Sequence, residues 1–248
     1  MSTKCLLLAL GAVCLLGSCK KNNGTNSSGT PDKLKMYIED ATTSGLRQVD
    51  TFTVSYDGDN RITGLASRAI TFAYAYSTNS FTIDLYNFGQ LNIHEIAYLN
   101  GSSFVDSTFQ FNSTNDTTTE GYTYSGGLLT RLTTYNYSSA GSSIYSIDDY
   151  SYDNNGNGIT DVSSDGYGNI NMTFSFTYTT HALKVRTSPG YLPVTSKYLP
   201  ATQTITDGNG NPVGTITYTY AFDGSGRLTK ETDSADNGDV FVKTYIYQ

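Results

Sequence analysis

The chain has 248 residues, of which 38% are hydrophobic and 15% are charged, so it is long enough for one sizeable domain. Tyrosine and phenylalanine dominate its 13% of aromatic residues, and glycine is plentiful while proline is scarce, which favours strands and tight turns over helices. The formal charge of −7, or −8 once a leader carrying only Lys4 is removed, has no basic cluster beyond Lys20 and Lys21 and argues against a nucleic-acid partner.

The N-terminus is typical of an exported protein. A short basic start precedes a continuous apolar run at residues 5–16, which is too short to cross about 30 Å of hydrocarbon as a helix. The run ends in Leu16-Gly17-Ser18-Cys19, which resembles the bacterial lipobox, where the cysteine is lipidated and becomes the new N-terminus. The alternative is ordinary secretory cleavage near the same point. Under either interpretation we expect the protein to be exported.

The cysteines support this division of the chain. Cys5, Cys14 and Cys19 all fall within or at the end of the leader, so the mature part has no thiol for a disulfide, a zinc site or a nucleophile. Residues 20–33 are polar and read as a flexible tether. We therefore expect a signal peptide at residues 1–18, a tether at 19–33 that joins the bilayer through acylated Cys19, and an all-β domain at 34–248.

Large and polar residues alternate with a period of two from residue 34 onward, as half-buried strands require. The alternation predicts strands at residues 51–56, 70–76, 81–85, 104–111, 172–178, 216–222 and 240–247. Because isolated hairpins are marginal in water, these strands should pair as an antiparallel meander that curls or closes like a barrel around a face of Tyr and Phe.

Several strands end in one turn motif. Tyr-Asp-Gly-Asp-Asn-Arg-Ile-Thr at residues 56–63 matches Phe-Asp-Gly-Ser-Gly-Arg-Leu-Thr at residues 222–229 almost position for position, and looser copies lie at 124–130 and 152–160. Asp, Asn and Gly tolerate the left-handed region and let the chain reverse.

These copies resemble the tyrosine-aspartate (YD/RHS-like) repeat Tyr-Asp-x-x-Gly-Arg-Leu-Thr. Together with the leader and the tether, they make the chain similar to an uncharacterised family of Bacteroidota lipoproteins. The resemblance implies a porin-like fold and says almost nothing about activity. In the first copy Asn60 replaces the glycine, and in the second Phe222 replaces the tyrosine.

Residues 181–200 break the alternation with Pro189, Pro193 and Pro200, and predict a long surface connection.

The search for catalytic spacings gives no nucleophile elbow, phosphate loop, dinucleotide fingerprint or two-histidine zinc helix. His94 and His181 are far apart in sequence and are expected to be structural or surface residues. Asp148, Asp149 and Asp153, interleaved with Tyr150 and Tyr152, offer paired carboxylates and stacking rings for a glycan-hydrolysing patch; the alternative is a solvated strand end.

Two further patterns point to ligands or modification. Residues 153–161 resemble the first part of a calcium loop, but Ser164 stands where the bidentate glutamate belongs, and the same stretch is a repeat turn. The triplets at 106–108, 116–118 and 233–235 resemble acidic-hydroxyl acceptors of O-glycans, which would mark exposed turns.

We therefore expect a non-catalytic lipoprotein of the bacterial cell envelope, anchored in the outer membrane on its periplasmic or outer side, with no cofactor or metal and with a glycan or an envelope protein as partner. A glycan-acting enzyme and a true outer-membrane barrel are the alternatives. The latter needs strands of about 9 to 11 residues with an apolar outer band.

Overall fold

The computed structural model describes residues 33–112, 117–138, 141–183 and 196–248. Sixteen antiparallel strands in this part follow one another around a closed barrel, in which β1 completes the circle by pairing with β16. The strands are β1 Leu34–Thr43, β2 Leu46–Tyr56, β3 Ile62–Ala66, β4 Ile70–Tyr76, β5 Ser80–Asn87, β6 Gln90–Leu99, β7 Val105–Asn112, β8 Thr117–Ser125, β9 Leu128–Ser138, β10 Gly141–Tyr152, β11 Gly158–Asp165, β12 Ile170–Ala182, β13 Tyr198–Asp207, β14 Pro212–Phe222, β15 Leu228–Ala235 and β16 Val240–Tyr247.

The predicted all-β antiparallel meander is confirmed, and of the two arrangements left open, a curled or a closed sheet, the described strands form the closed one. Each predicted strand lies within or largely overlaps an observed one. The described residues contain no helix long and apolar enough to cross a membrane. Several strands run to ten residues or more.

The inside of the barrel holds the large side chains. Phe52 pairs with Tyr37 on the neighbouring strand, and their rings stack 4.9 Å apart at 9°. Because residues opposite each other share a face, the alternation on every strand places one set of side chains inside. The buried hydrophobic residues form this core: Leu34, Tyr37, Phe52, Val54, Ile62, Leu65, Phe81, Leu85, Ala97, Val105, Leu129, Leu199, Leu228 and Tyr245.

The repeat turn has one geometry wherever its aspartate is present. In the copy at residues 223–227, the Asp223 carboxylate accepts the backbone N–H groups of Ser225 and Arg227 and the Arg227 guanidinium, at 2.7 to 2.9 Å. The fourth residue, Gly226, has a φ of +76°. This is a type I turn closed by a left-handed residue, and the strand register shifts beside it, as a bulge requires. The same carboxylate bonds recur at Asp57, Asp153, Asp165 and Asp207.

Two of these copies were missed in the sequence. Asp165 and Asp207 begin turns at the opposite end of the barrel, with Asn169 and Asn211 in the place of the arginine. The shared pattern Asp-Gly-x-Gly-Asn would have revealed both. In contrast, the looser copy after Tyr124 is a two-residue hairpin in which both central glycines have positive φ.

A ring of tyrosine hydroxyls closes one end of the barrel, the end where β1 begins and β16 finishes. Each hydroxyl donates to the backbone carbonyl of one of the first three residues of the preceding strand, at 2.5 to 2.8 Å. We call these six residues the tyrosine ladder: Tyr76 to Ile62, Tyr124 to Val105, Tyr152 to Leu129, Tyr178 to Gly158, Tyr220 to Pro200, and Tyr247 to Leu228.

The expected surface connection at residues 181–200 is shorter than predicted. His181 and Ala182 belong to β12, and β13 begins at Tyr198, where Leu199 is buried in the core. Residues 184–195, between these ends, lie outside the described residues.

Candidate functional site

Most outward positions of the barrel carry hydroxyl or other small side chains. On β14, Thr217 and Thr219 alternate with the inward Tyr218 and Tyr220 and are exposed. Thr202 lies opposite Thr217, and its hydroxyl is 2.6 Å from that of Thr177 on the next strand. The aromatic face of these strands is inside, as predicted.

Strands β6 to β9 depart from this pattern because they also carry aromatic side chains on the outside. Phe109 lies opposite Ile96 on one side and Thr119 on the other, and Thr119 in turn lies opposite Tyr135. These four residues therefore share the outer face. The next outward row adds Phe111 and Tyr137 on either side of Thr117.

The aromatic side chains border a surface cleft of about 450 Å³. The outward residues of β8 are small and form its floor, whereas rings from β6, β7 and β9 form its walls. We call this cleft the β8 groove; its floor is Thr119 and Gly121, and its walls are Tyr98, Phe109, Tyr135 and Tyr137. Tyr98 and Tyr137 are 47% and 48% exposed, so a large part of each ring remains open to solvent.

Hydroxyl groups lie among these rings. Thr119 donates a hydrogen bond of 3.4 Å to the hydroxyl of Tyr137, and Ser107 and Ser142 also line the groove. Glu120 belongs to the same stretch, but its carboxylate accepts bonds from Tyr122 and Thr108 on the inner face. Aromatic rings and hydroxyls thus make up the groove's outward side chains, without a charged group.

His94 lies at the edge of this surface. Its Nδ1 is 2.5 Å from Asp84 Oδ1, and its ring is tilted against that of Phe111 at 4.8 Å. The expected surface role for this histidine is consistent with its position. The second histidine, His181, stacks on Phe222 at 4.7 Å on another part of the barrel.

The interior contains carboxylates among the aromatic side chains. Burial raises the pKa of Glu95 to about 7, with a further contribution from Glu120. Burial likewise raises the pKa of Asp161 to about 7, helped by the negative charges of Asp148 and Asp149. The interior therefore holds protons on some of these groups near neutral pH.

A second interior cluster contains the cation Lys243. Its Nζ is 3.3 Å from Glu231 and 3.6 Å from Asp233, and the Tyr245 hydroxyl donates to Glu231 at 2.8 Å. The pKa of Lys243 is raised because the neighbouring carboxylates outweigh its desolvation, whereas burial raises that of Asp233. This cluster is a buried ion-pair network within the core.

The acidic, tyrosine-rich stretch of β10 is divided between the two faces of the sheet. Asp149 points outward and forms a two-bond pair with Arg131 at 2.6 and 2.8 Å. Asp148, Tyr150 and Tyr152 have the opposite orientation, since Tyr150 pairs with the inward Asp161. The predicted patch is not assembled, because adjacent residues of a strand face opposite sides.

The predicted calcium ligands are used by the turn itself. Asp153 accepts the backbone N–H groups of Asn155 and Asn157, and its second oxygen accepts the Asn157 side-chain amide at 2.8 Å. The buried Asn157 accepts in turn from the N–H groups of Lys197 and Tyr198. Asp161 lies inside the barrel on β11, away from this arrangement, and the described residues contain no group of three acidic, His or Cys side chains suited to a metal.

The predicted modification sites do not lie in exposed turns where the structure describes them. Ser107 and Thr108 belong to β7, and Thr108 is buried; Asp233 is buried within β15. Asp116 and the predicted lipid-anchor residue Cys19 lie outside the described residues, so lipidation and O-glycosylation stay predictions.

The fold has relatives among solved structures. A porin-like protein from Bacteroides uniformis superimposes with a TM-score of 0.64 at 14% identity, over 88% of this chain and 100% of that one. A porin-like protein from Bacteroides vulgatus gives 0.62 at 11% identity, over 88% and 99%. No family model and no curated protein matches the sequence. The likeness establishes the barrel fold and leaves the function to be argued from the chain's own surface.

Proposed function

We propose that the protein is a non-catalytic binding lipoprotein of the bacterial envelope, anchored through Cys19, whose barrel displays the β8 groove to a ligand. The observation that supports this role is the concentration of outward aromatic side chains on β6 to β9, while the outward positions of the other described strands are mostly threonine and serine with single aliphatic residues such as Val49 and Ile246. Exposed aromatic patches of this kind mark recognition surfaces.

The outer face argues against insertion of the barrel in a bilayer. A membrane-spanning barrel presents a lipid-facing apolar band about 25 Å tall and keeps its polar residues inside. On β14 this distribution is reversed, since Thr217 and Thr219 face outward while Tyr218 and Tyr220 face inward. The barrel therefore fits an anchored domain beside the membrane better than a domain within it.

The interior argues against a pore. Hydrophobic side chains from β1, β2, β3, β13, β15 and β16 form one cluster near the end that the tyrosine ladder closes. A water-filled channel would instead be lined by polar groups. Some of the polar groups that face inward are held in contacts, such as the bond from Tyr218 to Gln203 at 2.7 Å, while Asp161 and Asp233 each keep one buried oxygen without a hydrogen bond.

The anchor is tested by labelling cells with an alkyne analogue of palmitate. We expect the wild-type protein to be labelled and to sediment with membranes, and the Cys19→Ala variant to be unlabelled and released. Cys14→Ala is the matched control, since this leader cysteine should be dispensable. Labelling of Cys19→Ala, or absence of label from the wild type, would contradict the anchor.

The pore alternative is tested with the same purified full chain. We expect no channel conductance in planar bilayers and no swelling of liposomes. Stepwise conductance would mean that the barrel inserts, and the proposed binding role would then be wrong. An enzyme acting on glycans has less structural support, because the outward Asp149 is separated from the inward Asp148.

A further inference from the structure

We infer that the β8 groove binds a neutral polysaccharide, with its sugar rings stacked between the aromatic walls and its hydroxyls bonded to the floor. This inference rests on the proposed binding role and specifies the chemistry of the ligand. It depends on the dimensions of the groove, its hydroxyl groups, its lack of charge and the closure of the barrel.

The dimensions fit one saturated ring. Phe109 and Tyr135 lie on β7 and β9, on either side of Thr119 of β8. Two interstrand steps separate their strands by about 9.5 Å. A ring midway between the walls would be about 4.7 Å from each, which is close to the spacing of stacked rings. The walls therefore match a saturated sugar ring, whose C–H groups present an apolar face on each side.

The groove can also continue along the strand. Phe111 and Tyr137 flank Thr117 in the next outward row, roughly 7 Å away along β8. In the opposite direction, Gly121 leaves the floor open, since a Cβ there would have only Tyr135 nearby, at 4.0 Å. An extended chain thus suits the groove better than a single small molecule.

The polar groups of the groove are hydroxyls. Thr119 and Tyr137 are already connected by a 3.4 Å hydrogen bond, and each hydroxyl can both donate and accept. Such groups match the alternating donors and acceptors of a sugar. No charged side chain lines the groove from its outer side, although His94 and Asp84 lie at its edge beside Phe111, and the chain as a whole carries a formal charge of −7, which disfavours an anionic polymer.

A peptide partner fits this surface less well. Peptides that bind sheets add a strand to an exposed edge, and the closed barrel leaves none, since β1 pairs with β16. A stable protein partner would cover about 800 Å² of this chain. The surface of the groove is much smaller than this, and beyond its walls the neighbouring β10 adds one exposed apolar side chain, Ile144, opposite Tyr135.

The test uses electrophoresis of the full-length protein through native gels that contain one polysaccharide each: a β-glucan, a xylan, a galactomannan, a starch or anionic polygalacturonate. We expect at least one neutral polymer, but not polygalacturonate, to retard the wild type. Calorimetry with oligosaccharides of the retarding polymer then gives the affinity.

Two variants address the groove without removing a core contact. Gly121→Val fills the floor in a strand where valine is favourable and φ is not positive, and Tyr137→Ala removes a half-exposed wall. Each should weaken binding at least tenfold while the melting temperature stays within a few degrees. The matched controls, Thr219→Val on the outer face of β14 and Tyr167→Ala at a 95% exposed turn, should bind as the wild type does.

The binding results distinguish failure of the groove inference from failure of the proposed function. Glycan binding that survives both groove variants would overturn the groove as the site while leaving a binding role intact. Groove-dependent binding of polygalacturonate alone would overturn the neutral ligand. Retardation by none of the polymers would overturn the inference, whereas the Cys19 labelling and conductance results would still decide the anchored, pore-free role separately.

Discussion

The Tyr247 hydroxyl donates a 2.7 Å hydrogen bond to the backbone carbonyl of Leu228, while the Arg227 guanidinium lies 4.8 Å from the centre of the Tyr247 ring. This relationship explains the residues of the repeat. Asp223 caps the turn and binds Arg227, the arginine covers the tyrosine of a neighbouring strand, and the buried Leu228 fills the end of the barrel. Arg61 and Tyr76 repeat the arrangement at 4.5 Å.

Removing one hydroxyl of the tyrosine ladder should cost stability without altering the fold. We expect Tyr247→Phe to lose about 1 kcal/mol, because the Leu228 carbonyl loses its donor while the ring remains. For a domain of this size, that is a fall in melting temperature of about 2 to 4 °C. Tyr167→Phe, at an exposed turn, is the control and should melt like the wild type. Equal melting of the two variants would show that the ladder bond contributes nothing.

Two glycines at the same position of the repeat turn should respond differently to alanine. A Cβ at Gly208 would lie 1.9 Å from the Ile170 carbonyl oxygen, whereas one at Gly224 would meet open space. Gly208→Ala should therefore destabilise the barrel by about 2 kcal/mol or more, since backbone must move. Gly224→Ala should be neutral or slightly stabilising. Urea unfolding measures both, and equal midpoints would contradict the close approach at residue 208.

The interior carboxylates should make the protein less stable as the pH rises. The pKa of Asp161 is about 7 in the folded chain and near 4 in an unfolded one. The folded state therefore binds more protons between these values, and the stabilisation is fully present below pH 4 and lost as the pH rises through 7. We expect a lower urea midpoint at pH 8 than at pH 5, with a loss of the order of 2 kcal/mol from this group.

Asp161→Asn is the variant that tests this origin. It keeps the shape of the side chain but cannot ionise, so the decrease between pH 5 and pH 8 should become smaller, although Glu95 still contributes. Asp59→Asn, at an exposed turn away from Asp161, is the control, and it should leave the decrease in place. An unchanged pH dependence of stability in Asp161→Asn would show that Asp161 does not cause the decrease.

The turn at Asp153 should be structural and insensitive to calcium. Its two carboxylate oxygens already accept two backbone N–H groups and the Asn157 amide, and these bonds hold the pKa of Asp153 below its usual range. Asp153→Ala should lower the urea midpoint of unfolding, because the two backbone N–H groups and the Asn157 amide lose their acceptor. Millimolar calcium should leave the melting temperature of the wild type unchanged, and a rise with calcium but not with magnesium would restore the metal site.

Much of the fold could be predicted because its signals are local. The alternation of Phe52, Val54 and Tyr56 with small polar residues indicates a strand wherever it occurs, and Asp223 to Gly226 encodes its turn within a few residues. The copies at Asp165 and Asp207 carry an equally local signal. A repeat pattern that requires neither the tyrosine nor the arginine matches both. The closure of the sheet had no such signal, since it depends on β1 meeting β16 across almost the whole chain.

The candidate site could not be predicted in the same way. Alternation says that Phe109 and Phe111 share a face but not which face is inside. That choice follows from the register with β6 and β8, where Glu95 and Thr118 lie opposite Gln110 and leave both phenylalanines outside. Asp148 and Asp149 face opposite sides of the sheet because they are adjacent on β10, so the acidic patch that looked continuous in the sequence is not assembled.

The sequence by itself determined the all-β class, seven of the sixteen described strands and the repeat turns that begin at Asp57, Asp153 and Asp223, because neighbouring residues are sufficient to specify a period of two and a left-handed turn. Only the tertiary structure decided that sixteen strands close into a barrel and that its outer aromatic residues gather around β8. These features arise from pairing between strands whose relative register no short stretch of sequence contains.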